Sequence, residues 1–475
     1  VNGRTMPFGL MCDQYAESKG YLSFRAASLA SHDPADWQRA DDYKSVISGV
    51  EIPLPGSGLR ITAVPNAVEG KGLWAASGVN AANVGMTATE TITSNPRVLG
   101  ADPLVKGGIG EEDIVYLVLP YVRSAREGVR RLGSLLEQYG TYEMNGIAFQ
   151  DVDEVWWLET IGGHHWMARR VPDDVYVVMP NQLGLDTLDL DDALGEQKEF
   201  MCSADLRGFI DKYHLDLSLD GALNPRDAFG SHDDADHVYN TPRGWYMLRY
   251  FNPNTFAWDA RTPTLRRAPT TCPGAWCPRK TITPEDVKYV LSSHYQGTPY
   301  DPYAATASEK GIYRPIGVNR NDFMALLQMR PDVPEDFRAV EWLAFASNAF
   351  NTMVPFYANV DMTPEYLSNT TGDVSTDNFY WASRLLAAMA DASYAKSVFH
   401  IERYTLSVGS KANGIINTYD DAQRGEADPA ARAALRTKAN EELAAMVRAE
   451  TTDALNKVLF ELSSGMKNAY SRSDA

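Results

Sequence analysis

Trp156-Trp157-Leu158-Glu159-Thr160-Ile161-Gly162-Gly163-His164-His165-Trp166 is the stretch whose reading decides the fold. Aromatic and β-prone residues around a single glutamate lead up to a glycine pair, and the chain resumes with paired histidines and another tryptophan. A β-type run on each side of a glycine turn describes two antiparallel strands folded back on each other. Gly85-Met86-Thr87-Ala88-Thr89-Glu90 and Val175-Tyr176-Val177-Val178-Met179 have the same β-rich composition, so the first 200 residues read as strands and turns. Two helices interrupt them. Gly110-Glu111-Glu112-Asp113 opens an apolar-periodic run through Leu117, Leu119, Val122 and Ala125, with acidic residues suited to a helix N-terminus. A second run passes Leu136 and ends at Tyr139-Gly140, where glycine suits a C-terminal cap.

Farther along, 204–311 is rich in Asp, Pro, Gly and Tyr, which predicts long excursions around the core. Thr283-Pro284-Glu285-Asp286 is a helix start, and Asp428-Pro429 opens a long amphipathic helix over 428–462. The stripe of that helix, from Leu435, Leu443, Met446 and Val447 to Leu455, Val458, Leu459 and Leu462, is expected to form core or a subunit interface. No linker or internal repeat stands out, so 1–475 is expected to be one elaborated domain.

Composition narrows the function. The chain has 475 residues, 44% hydrophobic and 22% charged, enough for a large core. Its 44 Lys and Arg stand against 62 Asp and Glu, and a net charge of −18 disfavours nucleic acid and anionic membranes. Four cysteines are too few for a disulfide scaffold, although Cys272 and Cys277 stand close enough in sequence to be a local pair or two free thiols. No stretch approaches the ~20 apolar residues of a membrane span. A soluble protein is expected, cytoplasmic rather than secreted.

Several blocks carry more specific information. In order they are Ala88-Thr89-Glu90-Thr91 with Ser94-Asn95, Ala101-Asp102-Pro103-Leu104, Gly108-Ile109-Gly110-Glu111-Glu112-Asp113 and Tyr139-Gly140-Thr141-Tyr142-Glu143-Met144-Asn145-Gly146. Then follow the tryptophan and histidine stretch already quoted, Pro180-Asn181-Gln182, Pro355-Phe356-Tyr357-Ala358-Asn359-Val360 and Thr363-Pro364-Glu365-Tyr366. Together they resemble the bacterial dipeptidases of the dipeptidase A type, within the N-terminal-nucleophile (Ntn) hydrolases. The resemblance implies an α+β fold, an αββα sandwich of two stacked antiparallel sheets flanked by helices, here with long insertions. It also implies autoprocessing, a homo-oligomer, a small peptide as substrate, and no metal or organic cofactor. In such an enzyme a cysteine at the mature N-terminus is the nucleophile and its own α-amine handles the proton.

Residue 1 is valine, which departs from that pattern. Asn2-Gly3 is a hairpin signal with only its second strand present, so a strand of ~5–10 residues bearing the cysteine is expected ahead of Val1. Phe8-Gly9-Leu10-Met11-Cys12-Asp13 resembles the stretch where related amidases place an Arg and, three residues on, an Asp facing the nucleophile; Asp13 matches the Asp, and Leu10 stands in place of the Arg. Cys12 is the alternative nucleophile if processing exposes it.

Asn181, following a strand, matches the Asn that donates to the oxyanion, against the plainer reading of a turn residue after Pro180. Thr89 and Glu90 end a core strand, and Glu90 is a candidate for the substrate's free amine. His164 is expected to line the pocket or serve structure, and with His165 it also invites a metal or acid–base reading that this mechanism does not need. His232 and His237 among Asp233, Asp234 and Asp236 fit no standard metal spacing and read as a solvated acidic turn. Arg243 or Arg249 is a candidate for the cation that Leu10 does not provide. Dipeptide hydrolysis leads these readings. An amidase acting on N-acyl amino acids or conjugated amides, and a non-catalytic binding protein on the same fold, are the alternatives.

Overall fold

The glycine turn does join two antiparallel strands in the computed structural model, which describes residues 30–32, 42–67, 75–219, 221–254, 258, 275–276, 281–306 and 308–467. Trp156 lies opposite Arg170 and Ile161 opposite His165. Gly162 has φ +62°, and a Cβ there would meet the Asp102 carbonyl oxygen at 2.6 Å, so the position requires glycine on both counts. Among the described residues the strands are β1 (Ala30–His32), β2 (Asp42–Lys44), β3 (Glu51–Pro53), β4 (Ile61–Pro65), β5 (Ala75–Asn80), β6 (Gly85–Thr91), β7 (Asn145–Gln150) and β8 (Val155–Ile161). They continue as β9 (His165–Arg170), β10 (Tyr176–Val177), β11 (Phe200–Cys202), β12 (Ala275–Trp276), β13 (Phe323–Met329), β14 (Ala339–Phe345) and β15 (Val354–Tyr357).

The larger sheet has the order β1-β4-β5-β6-β7-β8-β9-β11, and a second runs β13-β14-β15; all of these pairings are antiparallel. Alternation along the strands sorts their side chains into faces. Met86, Ile147, Phe149, Trp156 and Leu158 form a core with Val115, Val129, Leu132 and Leu136 of the helices Glu111–Val118 and Ala125–Tyr139. The opposite face meets the second sheet. Gln150 Nε2 donates to Leu327 O at 3.0 Å, Ser77 Oγ donates to Glu341 Oε1 at 3.3 Å, and Val79 packs with Leu327, Met329, Ala339 and Ala358. On the far side of the second sheet lie the helices Phe379–Ala392, Tyr394–Gly425 and Pro429–Ser464. Asn440 of the last exchanges two hydrogen bonds with the Tyr357 backbone, at 2.8 and 2.9 Å, and the Tyr357 hydroxyl donates to Asp420 at 2.7 Å. The molecule is thus α+β, with helices and stacked antiparallel sheets in layers.

Local signals largely fold as their chemistry dictates. Asp428 caps its helix by accepting from the Ala430 and Ala431 amides, and Thr283 and Asp286 form a reciprocal capping box. Leu443, Val447 and Val458 are buried, each contributing about 1.5–3 kcal/mol of apolar transfer, whereas Leu459 of the same expected stripe is exposed. The run through Leu117, Leu119, Val122 and Ala125 is not one helix. Pro120 lacks the N–H needed to continue the ladder, so a 3-10 turn at Leu119–Tyr121 follows Val118. Val122 is extended, and a new helix starts behind Ser124, whose Oγ accepts from the Glu127 amide. The strand expected at Val175 to Met179 is limited to Tyr176–Val177, paired with Trp276 and Ala275. Within 204–311, Trp245, Tyr295 and Tyr300 belong to the core around the second sheet. Among the described residues no helix is long and apolar enough to cross a membrane.

Candidate active site

Residues 178–189 carry no regular secondary structure, yet Asn181 within them is held from three directions. Its Nδ2 donates to the Thr91 carbonyl at 3.0 Å, where β6 ends. Its Oδ1 accepts from Arg243 Nη2 at 2.5 Å, and its main-chain oxygen accepts from Asn240 Nδ2 at 3.1 Å. Arg only donates, so its contact fixes which end of the Asn181 amide is oxygen and which is nitrogen. One Nδ2 hydrogen is used on Thr91, and the other meets no acceptor among the described residues.

Arg243 comes from the first turn of the helix Thr241–Phe251, which Asn240 precedes as N-cap and Pro242 helps start. Its guanidinium turns back over this start: Nη2 also donates to Asn240 Oδ1 at 2.8 Å and Nε donates to Tyr239 O. Arg243 is 5% exposed, and every one of these acceptors is uncharged. No carboxylate accepts from the guanidinium directly; the buried Asp236 reaches it only through the Asn240 amide. Arg249, the other cation considered, lies over the Trp245 ring at 5.1 Å instead.

The acidic turn supports this arrangement. Asp233 caps the helix Asp234–Tyr239, and the buried Asp236 accepts from Ser231 Oγ at 3.1 Å and from Asn240 Nδ2 at 2.5 Å. Ser231 N donates to Thr93 O, and Ser94 bridges to Gly230, which ties the turn to the end of β6. Asp236 therefore anchors Asn240, which in turn bridges Arg243 and Asn181. The sequence reading did not single out Asn240; its signal is an asparagine directly before Thr241-Pro242. Among the described residues no group of three or more His, Cys, Asp and Glu side chains is placed to hold a metal ion.

The backbone of Thr89 and Glu90 belongs to β6, where the register shifts between Ala88 and Glu90 and Glu90 pairs with Gly146. Their side chains, and the candidates Cys12 and Asp13 with Val1, Leu10, Cys272 and Cys277, lie outside the described residues. His164 is not hydrogen-bonded to the Asn181 group. The Nδ1 atoms of His164 and His165 lie 2.9 and 2.7 Å from the two oxygens of Asp102, and the His165 ring stacks on Phe209 at 3.8 Å. Burial alone would raise the Asp102 pKa, but the hydrogen bonds from both rings and from the His164 amide hold it at about 2. This cluster clamps the β8–β9 turn to the end of the helix Pro96–Ala101. Cys202, on β11, is buried, and desolvation pushes its thiol up to about 12, the wrong direction for a nucleophile.

The sequence profile of Peptidase family C69 matches residues 16–407. A protein named dipeptidase from Bifidobacterium longum (strain NCC 2705) is 48% identical, covering 91% of each chain. A probable dipeptidase A from Streptococcus pyogenes serotype M3 (strain SSI-1) is 49% identical over 91% of this chain and 90% of its own. Dipeptidase A from Lactobacillus helveticus is 47% identical over 74% and 73%. A match of this extent, over both the sheets and the segment that carries Asn181 and Arg243, places the chain in peptidase family C69.

Proposed function

We propose that this protein is a dipeptidase with an Ntn-type fold and mechanism, in which a cysteine at the mature N-terminus is the nucleophile. The observation that carries the reading is the Arg243–Asn181–Thr91 arrangement at the end of β6, in which a buried cation holds a half-buried amide and, among the described residues, one Asn181 N–H is left uncommitted. Family membership and relatives named as dipeptidases supply the substrate class.

The thiol gives its proton to the α-amine and the sulfur attacks the peptide carbonyl carbon, whose oxygen becomes an oxyanion donated to by Asn181 Nδ2. Collapse breaks the C–N bond, and the departing amine takes the proton from the α-ammonium. Water then adds to the thioester as the α-amine accepts its proton. The acyl group leaves as a carboxylic acid and the thiol is restored. Asp13 orients the amine or thiol, Arg243 holds Asn181, and Glu90 with Thr89 receives the substrate's ammonium end. His164 serves the wall of the site through its turn.

The test is hydrolysis of a dipeptide panel with chelator present, before and after thiol alkylation, together with the mass and N-terminal sequence of the active protein. Activity that survives chelator and is abolished by alkylation supports the reading. Loss to chelator with indifference to alkylation overturns it. Preference for an N-acetylated dipeptide over the free one transfers the assignment to an amidase of N-acyl amino acids.

A further inference from the structure

Glu159 is the group that the mechanism above leaves without a task. It sits in β8 with Gly146 opposite on β7 and Met167 opposite on β9, and its exposure is 0%. A carboxylate in such a place costs several kcal/mol unless its oxygens are well supplied with donors. Three reach it. Trp157 Nε1 donates to Oε1 at 3.0 Å, Gly184 N to Oε1 at 2.7 Å, and Leu185 N to Oε2 at 3.3 Å. Gly146 makes the first of these possible, because a Cβ there would lie 2.3 Å from Trp157 Cζ2 and displace the indole.

The two main-chain donors belong to the irregular segment that carries Asn181. Two consecutive backbone N–H groups of this segment, those of Gly184 and Leu185, are spent on Glu159. Leu183, Leu185 and Leu188 fill an apolar cluster with Met167, Phe209 and Phe229, but apolar packing does not specify position along the strand direction. A directional constraint comes from a side chain fixed in the middle of the large sheet, through those two main-chain donors. The backbone pairing Glu90–Gly146–Glu159 places that side chain in the same cross-strand row as Glu90, one residue from the Thr91 carbonyl to which Asn181 donates.

From this geometry we propose that Glu159 is a positioning residue for catalysis, which sets the Asn181 amide by holding the Gly184-Leu185 backbone to the sheet. The proposal rests on Asn181 as oxyanion donor. An oxyanion donor acts over a few tenths of an ångström, and Asn181 is three residues from the tether. Arg243, Asn240 and Thr91 fix the amide's orientation; Glu159 fixes the height of the segment over the sheet.

The experiment is a double-mutant cycle on the full-length active enzyme with a dipeptide substrate, using Glu159→Gln, Asn181→Ala and both together. Gln keeps one acceptor oxygen and replaces the other with an N–H₂ group that cannot accept from a main-chain amide. Asn181→Ala is expected to lower kcat by about 10²–10³. Glu159→Gln is expected to lower kcat at least tenfold with KM changed less than threefold, and the double variant to be no worse than Asn181→Ala within a factor of about three. Additive losses in the double variant, or wild-type kcat in Glu159→Gln, overturn the proposal and leave the oxyanion reading intact. Wild-type kcat in Asn181→Ala overturns that reading and the proposal with it. Glu159→Asp keeps the carboxyl group on a shorter stem and runs the same cycle with the same criteria if the glutamine variant does not fold.

Discussion

Replacing Arg243 by lysine keeps a buried cation while removing the planar fork. In the native protein Nη2 serves both Asn181 Oδ1 at 2.5 Å and Asn240 Oδ1 at 2.8 Å, while Nε serves Tyr239 O. A lysine Nζ lies about one bond short of Nη2 and cannot satisfy all three. Both Nη2 contacts, to Asn181 and to Asn240, lie at the far end of the side chain, and a lysine that keeps its place at the helix start loses the one to Asn181. A hydrogen bond to a charged group is worth about 1.5–3 kcal/mol, and an Asn181 amide released at Oδ1 no longer aims its free N–H. If that whole amount is lost from the transition state, kcat falls by about 10- to 150-fold. Arg243→Met removes every donor and the cation that faces the buried Asp236 through Asn240, and is expected to fall further. Steady-state kinetics on one good dipeptide, with the urea unfolding midpoint as a control for folding, measure both. A lysine variant that folds and keeps kcat within twofold of wild type would refute the claim that the guanidinium fork orients Asn181.

Three further outcomes follow from buried titratable groups. Glu341 has one oxygen on Ser77 Oγ and the other without a partner among the described residues; burial is the main reason its pKa rises to about 8, with the Ser77 hydrogen bond opposing. Because the folded value lies above the ordinary 4.5, the associated stability is full below that pH and is lost as pH rises through about 8. Glu341→Gln should therefore gain on wild type in urea titrations by up to a few kcal/mol between pH 5 and pH 8, and parallel profiles would contradict this. Asp102, held at about 2, has the opposite sign: its contribution is present above about 3.8 and disappears as pH falls through 2. Asp102→Asn should cost on the order of 1–2 kcal/mol at neutral pH and nothing at the acid end, as read from unfolding midpoints across that range. Cys202→Ala should leave dipeptidase activity and its rate of inactivation by alkylation unchanged within twofold; loss of either would place the buried thiol in the chemistry.

What was legible in the sequence was local. The β-type composition of Trp156–Ile161 and the glycine pair at 162–163 were enough for a hairpin, because strand preference and left-handed φ are properties of a few consecutive residues. Asp428, Thr283 and Gly140 announced helix ends for the same reason, since each cap is made within about three residues. No stretch of about 20 apolar residues stands in the sequence, in agreement with the absence of a membrane-crossing helix among the described residues, and ordered blocks identified the family, including the Pro180-Asn181-Gln182 segment. Pro120 shows how a single residue overrides an apolar period that otherwise continues past it.

Tertiary structure alone decided the rest. Asn181 and Arg243 stand 62 residues apart in sequence, and no pattern of spacing distinguishes Arg243 from Arg249 on the same helix; one turns onto an amide and the other onto an indole. Asn240 and Asp236 acquire their roles because the turn before that helix is tied to the end of β6. His164 and His165 carry the chemistry of a catalytic pair in sequence and share Asp102 in space. Glu159 reads as a single glutamate in a β-type run until residues 184–185 fold over it. Short-range conformational preferences set the elements, whereas the partners of a buried polar group come from distant segments and are chosen by which donors the packed fold brings within about 3 Å.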